Sequence, residues 1–210
     1  MTPTAPDAAA PDAGRPRGSY AKGVARRQAI LDRAIEVFAQ RGGRRTSLRA
    51  IAQEVGVTHA ALTHYFGSLD ELLVAVYRAS EAPPDGEPAT EHDGDATPAE
   101  MMRRSAEANR AVPGLVQLYS TLVASALDDA DSAAYAFATD RFARLRGQLA
   151  ERVQAQQDAG LLRADLEPHL VAALVIAASD GLQTQWLLEP SVDHAAALAL
   201  LDRLLAPPAS

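Results

Sequence analysis

The chain has 210 residues, a formal net charge of −7 and no cysteine, which excludes disulfides, thiolate zinc sites and cysteine nucleophiles. Hydrophobic residues make up 48% of the composition, enough for one sizeable core or for a small domain joined to a larger one. The sequence has no signal-peptide core and no uninterrupted apolar run of about 18 residues, so we expect a cytoplasmic protein.

The charge is distributed unevenly along the chain. Residues 1–66 hold ten Lys and Arg against five Asp and Glu, a net charge of +5, whereas residues 67–210 have a net charge of −12. Contact with a polyanion depends on where positive side chains cluster and not on the total charge. The first third of the chain is therefore the segment that we expect to approach nucleic acid.

The N-terminal segment is predicted to be an arm followed by a helix. Residues 1–19 are rich in Pro, Ala and Asp and show no periodicity, which is typical of a disordered arm. Apolar residues then recur at intervals of three and four over residues 22–40. The pair Gly42 and Gly43 is predicted to end this first helix.

Three more helices are predicted before residue 80. The second is short and ends at Gly56, and Thr58 is the predicted N-cap of the third. Ser68 and Glu71 have the spacing of a capping box, which predicts a fourth helix over residues 69–79.

The second half of the chain begins after an acidic segment. Residues 82–96 contain three prolines and a dense run of acids, which predicts a flexible acidic loop. Thr97, Pro98 and Glu100 then have the types expected at the N-cap, first and third positions of a helix. Four further helices are predicted over residues 113–128, 131–159, 168–188 and 191–205. With no strand pattern anywhere, the sequence predicts an all-α fold of about nine helices.

The stretch AQEVGVTHAALTHYFGS, residues 52–68, has the spacing of a helix-turn-helix. In this motif two short helices cross near a right angle, and the first turn of the second helix faces base edges in the major groove. Ala52 is small where the partner helix crosses, and Gly56 lies at the turn, which requires a positive φ. The positions that plug the angle between the helices are all apolar or aromatic, namely Ile51, Val55, Val57, Leu62 and Tyr65.

These residues resemble the tetracycline-repressor (TetR) family of bacterial transcriptional regulators. The resemblance runs from RRQAILDRAIEVFAQRG through TSLRAIAQEVGVTHAALTHYFGSLDELL, and GLLRADLEPHLVAALVIAASDGLQTQWLLEP carries a weaker one. It implies a helix-turn-helix DNA-binding domain over residues 20–67 and a larger helical ligand-binding and dimerisation domain over residues 68–210. It also implies a repressor that binds a palindromic double-stranded DNA operator as a homodimer, uses no cofactor, and is released by an unidentified small molecule.

The resemblance further implies which residues contact DNA. His59 is the one side chain on the exposed first turn of the recognition helix able to read a base edge by hydrogen bond, and Arg49 matches a position from which family members reach bases. The other expected contacts are Thr46, Ser47, Thr58, Ala60, Ala61, Thr63, His64 and Tyr65. Two positions depart from the family pattern, because Thr63 replaces a usual aromatic residue and Leu69 a usual lysine, and both positions commonly touch phosphates.

Six arginines flank the motif and are candidates for phosphate neutralisation, which would make binding strongly salt dependent. They are Arg15, Arg17, Arg26, Arg27, Arg44 and Arg45. Arg15 and Arg17 lie in the predicted arm, where they serve equally well as solvated charge.

The resemblance places a ligand cavity between the middle helices. The residues available to line it are Met101, Met102, Tyr119, Phe137, Phe142 and Trp186, although core packing explains each of them equally well.

The last two predicted helices have wide apolar stripes, more than a monomer needs on its surface. The resemblance implies that they form the homodimer interface, with the candidate residues Leu174, Ile176, Asp180, Gly181, Leu198 and Leu201. Asp180 and Gly181 interrupt the apolar pattern, which indicates either a close approach between helices or a ligand contact.

The sequence was also compared with what an enzyme, a metal-responsive regulator and an interaction adaptor would require. An enzyme would depend on the five histidines as general bases, but none has a Ser, Asp or Glu constellation or metal-type spacing around it. A metal-responsive regulator using His92, Asp93 and Asp95 stays open, although acidic loops are usually solvated. The departures at Thr63 and Leu69 make a helical interaction adaptor, which retains the DNA-binding fold without using it, the main alternative.

Overall fold

The computed structural model describes residues 17–41, 48–81 and 96–208, and every regular element in these ranges is an α-helix. The nine helices of the described ranges are α1 (Arg17–Arg41), α2 (Leu48–Val55), α3 (His59–Phe66), α4 (Leu69–Glu81), α5 (Pro98–Arg110), α6 (Pro113–Asp128), α7 (Ala133–Asp158), α8 (Pro168–Leu188) and α9 (His194–Leu205). The predicted all-α fold class is confirmed. The helix bounds differ by a few residues, and residues 17–19, which the sequence placed in the arm, belong to α1.

Local capping chemistry sets where the helices begin. The side chains of Thr58, Ser68 and Thr97 each accept a hydrogen bond from the backbone amide three residues later, at 3.1, 3.1 and 3.0 Å. Each cap satisfies an amide that has no partner within its helix. The last helix begins at His194, three residues later than predicted, because Asp193 is its N-cap.

One apolar core connects the N-terminal helices to the second half of the chain. It includes Phe38 of α1, Leu62 of α3, Leu73 of α4, Leu122 of α6 and Phe137 of α7, each at most 3% exposed. The core therefore continues through α4 across the boundary predicted between residues 67 and 68. A displacement of α4 would disturb the packing on both sides of that boundary.

A second core joins α7, α8 and α9. Leu149 and Val153 of α7 pack with Val171 and Val175 of α8 and with Leu205 of α9. By length and composition, α8 is the one helix in the described parts of the chain that could cross a membrane, and a third of its most apolar window is buried inside the protein. This core accounts for one face of α8 and leaves the opposite face to be explained.

Candidate nucleic-acid interface and effector cavity

The turn between α2 and α3 has the geometry that the motif requires. Gly56 has a φ of 77°, in the left-handed region that favours glycine. The amide of Val57 donates to the carbonyl oxygen of Ala52 at 2.8 Å and closes the turn. Ala52 is 3% exposed and Leu62 of α3 is fully buried, so the two helices pack directly against each other. This packing fixes the orientation of α3, which with eight residues is too short to be stable alone.

The predicted DNA contacts on α2 and α3 lie mainly on exposed positions. Arg49, Thr58, His59, Ala60, Thr63 and His64 are exposed, whereas Ala61 and Tyr65 are half-buried. The Thr63 hydroxyl donates to the His59 carbonyl oxygen at 3.1 Å. Thr46 and Ser47 lie outside the described residues. His59, Ala60 and Thr63 are three or four residues apart in the pairs His59–Thr63 and Ala60–Thr63, so these exposed residues form one face of α3.

The flanking arginines have different environments. The Arg27 guanidinium lies 4.6 Å from the centre of the Phe66 ring and so connects α1 to the end of α3. Arg26 is exposed, and neither it nor Arg49 forms an ion pair with a residue in the described ranges. Arg17 is the first residue of α1, and Arg15, Arg44 and Arg45 lie outside the described residues. Arg26 and Arg49 are therefore the arginines with charge available for an external partner.

The helix α4 continues directly from the helix-turn-helix. Leu69 is half-buried and packs against the first core, which gives an apolar role to a position where family members usually carry lysine. The Ser125 hydroxyl of α6 donates to both carboxylate oxygens of Asp70 at 3.1 Å. At the other end of α4, Tyr77 and Glu81 line a cavity. One helix thus connects the helix-turn-helix with the interior of the second half.

The cavity lies between α4, α5, α6, α7 and α8 and has a volume of about 540 Å³. Two of the six residues predicted to line it, Met102 and Tyr119, do so. The prediction is wrong for the other four. Met101 and Phe142 pack against the second core, and Phe137 is buried in the first core. Trp186 instead lies against the ring of His194 at 5.9 Å and the guanidinium of Arg110 at 5.9 Å.

A half-buried arginine, Arg141, contacts several residues of the cavity wall. The Arg141 guanidinium of α7 lies 5.0 Å from the centre of the Tyr119 ring and 5.4 Å from that of Tyr77. The two tyrosine rings stack on each other with their centres 5.3 Å apart. Arg141 Nη1 also pairs with Glu81 Oε1 of α4 at 3.0 Å. This ion pair ties the C-terminal end of α4 to α7.

Asp180 of α8, a predicted interface residue, lines the same cavity. The Tyr119 hydroxyl donates to its Oδ2 atom at 3.0 Å. Burial raises the pKa of the Asp180 carboxyl, while this hydrogen bond and the charge of Arg141 act in the opposite direction. Burial also raises the pKa of the Tyr77 and Tyr119 hydroxyls, which therefore stay protonated at neutral pH.

Sequence reasoning did not find Arg141, although a signal was present. Residues Ala134, Phe137 and Ala138 face the core, and Arg141 follows at the same helical spacing before Leu145. A charged residue on the inner stripe of a helix is rarely buried without a partner. Arg141 was therefore identifiable as a candidate for an internal ion pair, but its partner on α4 was not.

The predicted interface residues divide between the inside and the outside of the chain. Leu174 is 54% exposed, Gly181 is exposed and Leu201 is half-buried. Ile176 and Leu198 are only 5% and 1% exposed, because both pack inside this chain. Ile176 and Leu198 are thus corrected to interior positions, and Asp180 is corrected to a half-buried residue of the cavity wall.

A leucine face remains on the outside of α8 and α9. It consists of five exposed leucines, Leu170, Leu174, Leu188, Leu200 and Leu204, which are 70%, 54%, 83%, 47% and 62% exposed. Exposed leucines that recur at helical spacing on two helices in contact are typical of an interaction surface.

Comparison with protein families identifies both halves of the chain. The family described as "Bacterial regulatory proteins, tetR family" matches residues 30–76, which cover the C-terminal part of α1, all of α2 and α3, and the first part of α4. The chain belongs to the TetR family. A second family description, "BetI-type transcriptional repressor, C-terminal", matches residues 109–207 of this TetR-family regulator.

Individual relatives support the same assignment. The regulator is 42% identical over 53 residues to the HTH-type transcriptional regulator BetI of Brucella anthropi, a match that covers 25% of this chain and 27% of that relative. The BetI regulator of Rhizobium meliloti is 39% identical over 54 residues, which are 26% of this chain and 27% of the relative. The chain therefore aligns with about a quarter of the length of these curated relatives.

Solved structures share the fold over nearly the whole chain. A putative TetR-family transcriptional regulator from Rhodococcus sp. superimposes with a TM-score of 0.65 and 23% identity, over 86% of this chain and 98% of that chain. NalD of Pseudomonas aeruginosa, the secondary repressor of the MexAB-OprM multidrug efflux pump, has a TM-score of 0.61 and 19% identity, over 89% and 100% of the two chains.

Metal binding finds no support in the part of the chain that the structure describes, where no group of three or more His, Asp or Glu side chains is placed to hold an ion. The alternative metal ligands His92, Asp93 and Asp95 lie outside the described residues.

Proposed function

We propose that this TetR-family regulator is a cytoplasmic repressor that binds a palindromic operator as a homodimer and is released by a small molecule. The observation that carries the proposal is the position of α4. It begins next to the recognition helix α3, packs in the core beneath it, and ends in the wall of the 540 Å³ cavity. A cavity of this size lies within the range of small-molecule sites, roughly 300–1,000 Å³.

In the proposed complex, α3 lies in the major groove of the operator. His59 and Arg49 reach base edges, and both side chains are exposed and unpaired in the described structure. The hydroxyls of Thr58 and Thr63 and the side chain of His64 lie next to phosphates. The remaining proposed neighbours of DNA are Thr46, Ser47, Ala60, Ala61 and Tyr65.

The homodimer is proposed to form through the leucine face of α8 and α9. Burying these side chains against the same face of a second chain gives a two-fold contact, to which both subunits contribute the same residues. A two-fold dimer also presents two copies of α3 to successive major grooves, about 34–36 Å apart. A palindromic operator is the sequence that such symmetry requires.

Ligand and DNA are proposed to compete through α4. A small molecule in the cavity contacts Tyr77 and Glu81 and so acts on the C-terminal end of the helix. The ligand could stabilise, by about 1–3 kcal/mol, a spacing of the two recognition helices that does not fit the grooves. Operator affinity would then fall roughly 5- to 150-fold. Linkage requires that bound DNA weakens ligand binding by the same factor.

The experiment that tests the proposed function is operator binding at two salt concentrations, with the region upstream of the protein's own gene as the probe. We expect binding that is stronger than to unrelated DNA of equal length and that weakens at the higher salt concentration. The exchange Arg49→Ala should weaken it, whereas Arg146→Ala, which removes an exposed charge from α7, should not. Equal affinity for both DNAs at both salt concentrations would favour the adaptor alternative.

A further inference from the structure

Four charged side chains, Glu81, Arg141, Arg144 and Asp180, line the cavity. Glu81 is paired with Arg141, and Asp180 accepts a hydrogen bond from the Tyr119 hydroxyl. Arg144 is exposed and forms no ion pair with any residue that the structure describes. The guanidinium of Arg144 is therefore available to pair with a ligand.

The aromatic rings of the cavity are not available to a cation. Proteins hold organic cations on the faces of aromatic rings. Here the Arg141 guanidinium already lies 5.0 Å and 5.4 Å from the centres of the Tyr119 and Tyr77 rings, which also stack on each other. A cationic ligand on these rings would meet a like charge at close range.

Arg141 and Arg144 have N–H donors that could bind a ligand. Arg141 Nε is buried and has no hydrogen-bond partner among the described residues. Arg144 follows three residues later on α7, so the two side chains project from neighbouring positions on the same face of the helix. Guanidinium groups at such spacing suit a carboxylate or a similar anion, which accepts several charge-assisted hydrogen bonds.

The rest of the wall combines polar and apolar side chains. Ser80, Ser105, Asn109, Ser179 and Gln183 are polar, and the apolar part includes Met102, Leu115, Val116, Leu145 and Ile176. A ligand that is anionic throughout would bury its charge against these groups, at a cost that the arginines do not offset. The wall is complementary to a molecule with one charged end and an apolar body.

We propose that the effector of this regulator is an amphipathic organic anion, with an acidic head at Arg141 and Arg144 and an apolar body against Met102, Leu145 and Ile176. This inference rests on the proposed function in one respect, namely that the cavity is the effector site. The acidic head and Glu81 compete for the Arg141 guanidinium. Binding of the anion therefore weakens the ion pair that ties the end of α4 to α7.

The test compares three probes with the same eight-carbon chain: octanoate, octylammonium and octan-1-ol. Thermal unfolding of the full-length protein is followed at increasing concentrations of each, because a ligand that binds only the native state raises Tm. We expect octanoate to raise Tm and octylammonium to leave it unchanged. Octan-1-ol lacks the acidic head and should raise Tm less than octanoate does.

Arginine variants connect any octanoate effect to the cavity. Arg144→Gln should weaken octanoate binding about 10-fold, the loss of one charge-assisted hydrogen bond. Arg146→Gln removes the same charge from an exposed position of the same helix outside the cavity wall and should leave octanoate binding unchanged. Arg141→Gln should abolish the rise in Tm caused by octanoate. If that variant does not fold, the comparison of Arg144→Gln with Arg146→Gln is the test of the cavity.

Three results would overturn the proposal: octylammonium raising Tm more than octanoate, octanoate binding equally well to the Arg144→Gln variant, or none of the probes changing Tm at millimolar concentration. Operator binding without any probe is measured on the same protein samples. A protein that binds its operator but fails the octanoate test disproves the inference and leaves the DNA-binding function intact. Failure of operator binding disproves the proposed function whatever octanoate does.

Discussion

Replacing Leu174 by Asp should separate the proposed homodimer into monomers. Leu174 lies in the leucine face of α8 and is 54% exposed in the single chain. Full burial of a leucine contributes roughly 1.5–3 kcal/mol, so covering the exposed half of this side chain contributes about 1 kcal/mol. An unpaired carboxylate at the same place in an apolar interface costs about 3 kcal/mol more.

The two-fold symmetry doubles this effect. Each subunit of the variant loses about 4 kcal/mol, so the dimer loses about 8 kcal/mol and its dissociation constant rises by roughly 10⁵-fold or more. A dimer with a nanomolar dissociation constant would then be monomeric at micromolar concentration. Sedimentation or light scattering of wild type and variant at that concentration measures the change.

A matched control separates a lost interface from a change in surface charge. Leu127 on α6 is 86% exposed and lies outside the leucine face, so Leu127→Asp makes the same chemical change elsewhere. We expect that variant to remain a dimer, and circular dichroism to show unchanged helicity in both variants. A wild-type monomer at micromolar concentration, or a Leu174→Asp variant that is still a dimer, would refute the assignment of the face.

Three further predictions concern the helix-turn-helix and the cavity. Arg49→Ala and His59→Ala should each weaken operator binding by about 1–3 kcal/mol without lowering Tm, and fluorescence anisotropy with labelled operator measures the loss, which would be absent if neither side chain contacts DNA. Leu62→Ala should destabilise the protein by about 2–5 kcal/mol, since this side chain is fully buried, and a denaturant midpoint equal to that of wild type would contradict the packing of α3. Asp180→Asn should flatten the pH dependence of stability. The pKa of Asp180 is raised in the folded state, so the folded state binds this proton more tightly than the unfolded state does. The stability of the wild type therefore falls as pH rises from the ordinary pKa of 3.8 through the raised pKa. Urea unfolding across this pH range checks the last point, and parallel curves for the two proteins would show that Asp180 does not contribute.

The helices were predictable because their signals act over a few residues. Thr58 and Thr97 cap their helices through a hydrogen bond to an amide three residues away, a contact that the local sequence specifies completely. Gly56 at the turn is similar, since its φ of 77° is a property of one residue. Such features depend on no distant partner.

Which residues line the cavity and the interface depends on which face of each helix points inward, and the sequence did not specify that face. Met101 and Met102 are adjacent and both pack against the second core, but successive residues of a helix point about 100° apart, and only Met102 also lines the cavity. Leu174 and Ile176 are only two residues apart on opposite sides of α8, one exposed and one buried. Because α8 is apolar almost all round, its periodicity did not indicate which side faces inward.

The contacts of α4 indicate how a ligand could weaken the binding of DNA to this acidic protein. Near its start, Asp70 accepts hydrogen bonds from Ser125 of α6, and at its end Glu81 pairs with Arg141 of α7. The helix has 13 residues and is about 20 Å long, so these contacts hold its two ends separately. If only the Glu81 contact is weakened, the end in the cavity moves while the Asp70 contact persists.

We expect a helix held in this way to rotate about its fixed end instead of shifting as a whole. The start of α4 follows α3 directly and shares its core, so rotation there changes the orientation of the recognition helix relative to the second half of the chain. The net charge of −12 over residues 67–210 should repel DNA from that half, so we expect affinity for DNA to depend on the segment that carries the positive charge. We therefore expect a small change in the orientation of that segment to be sufficient to weaken operator binding.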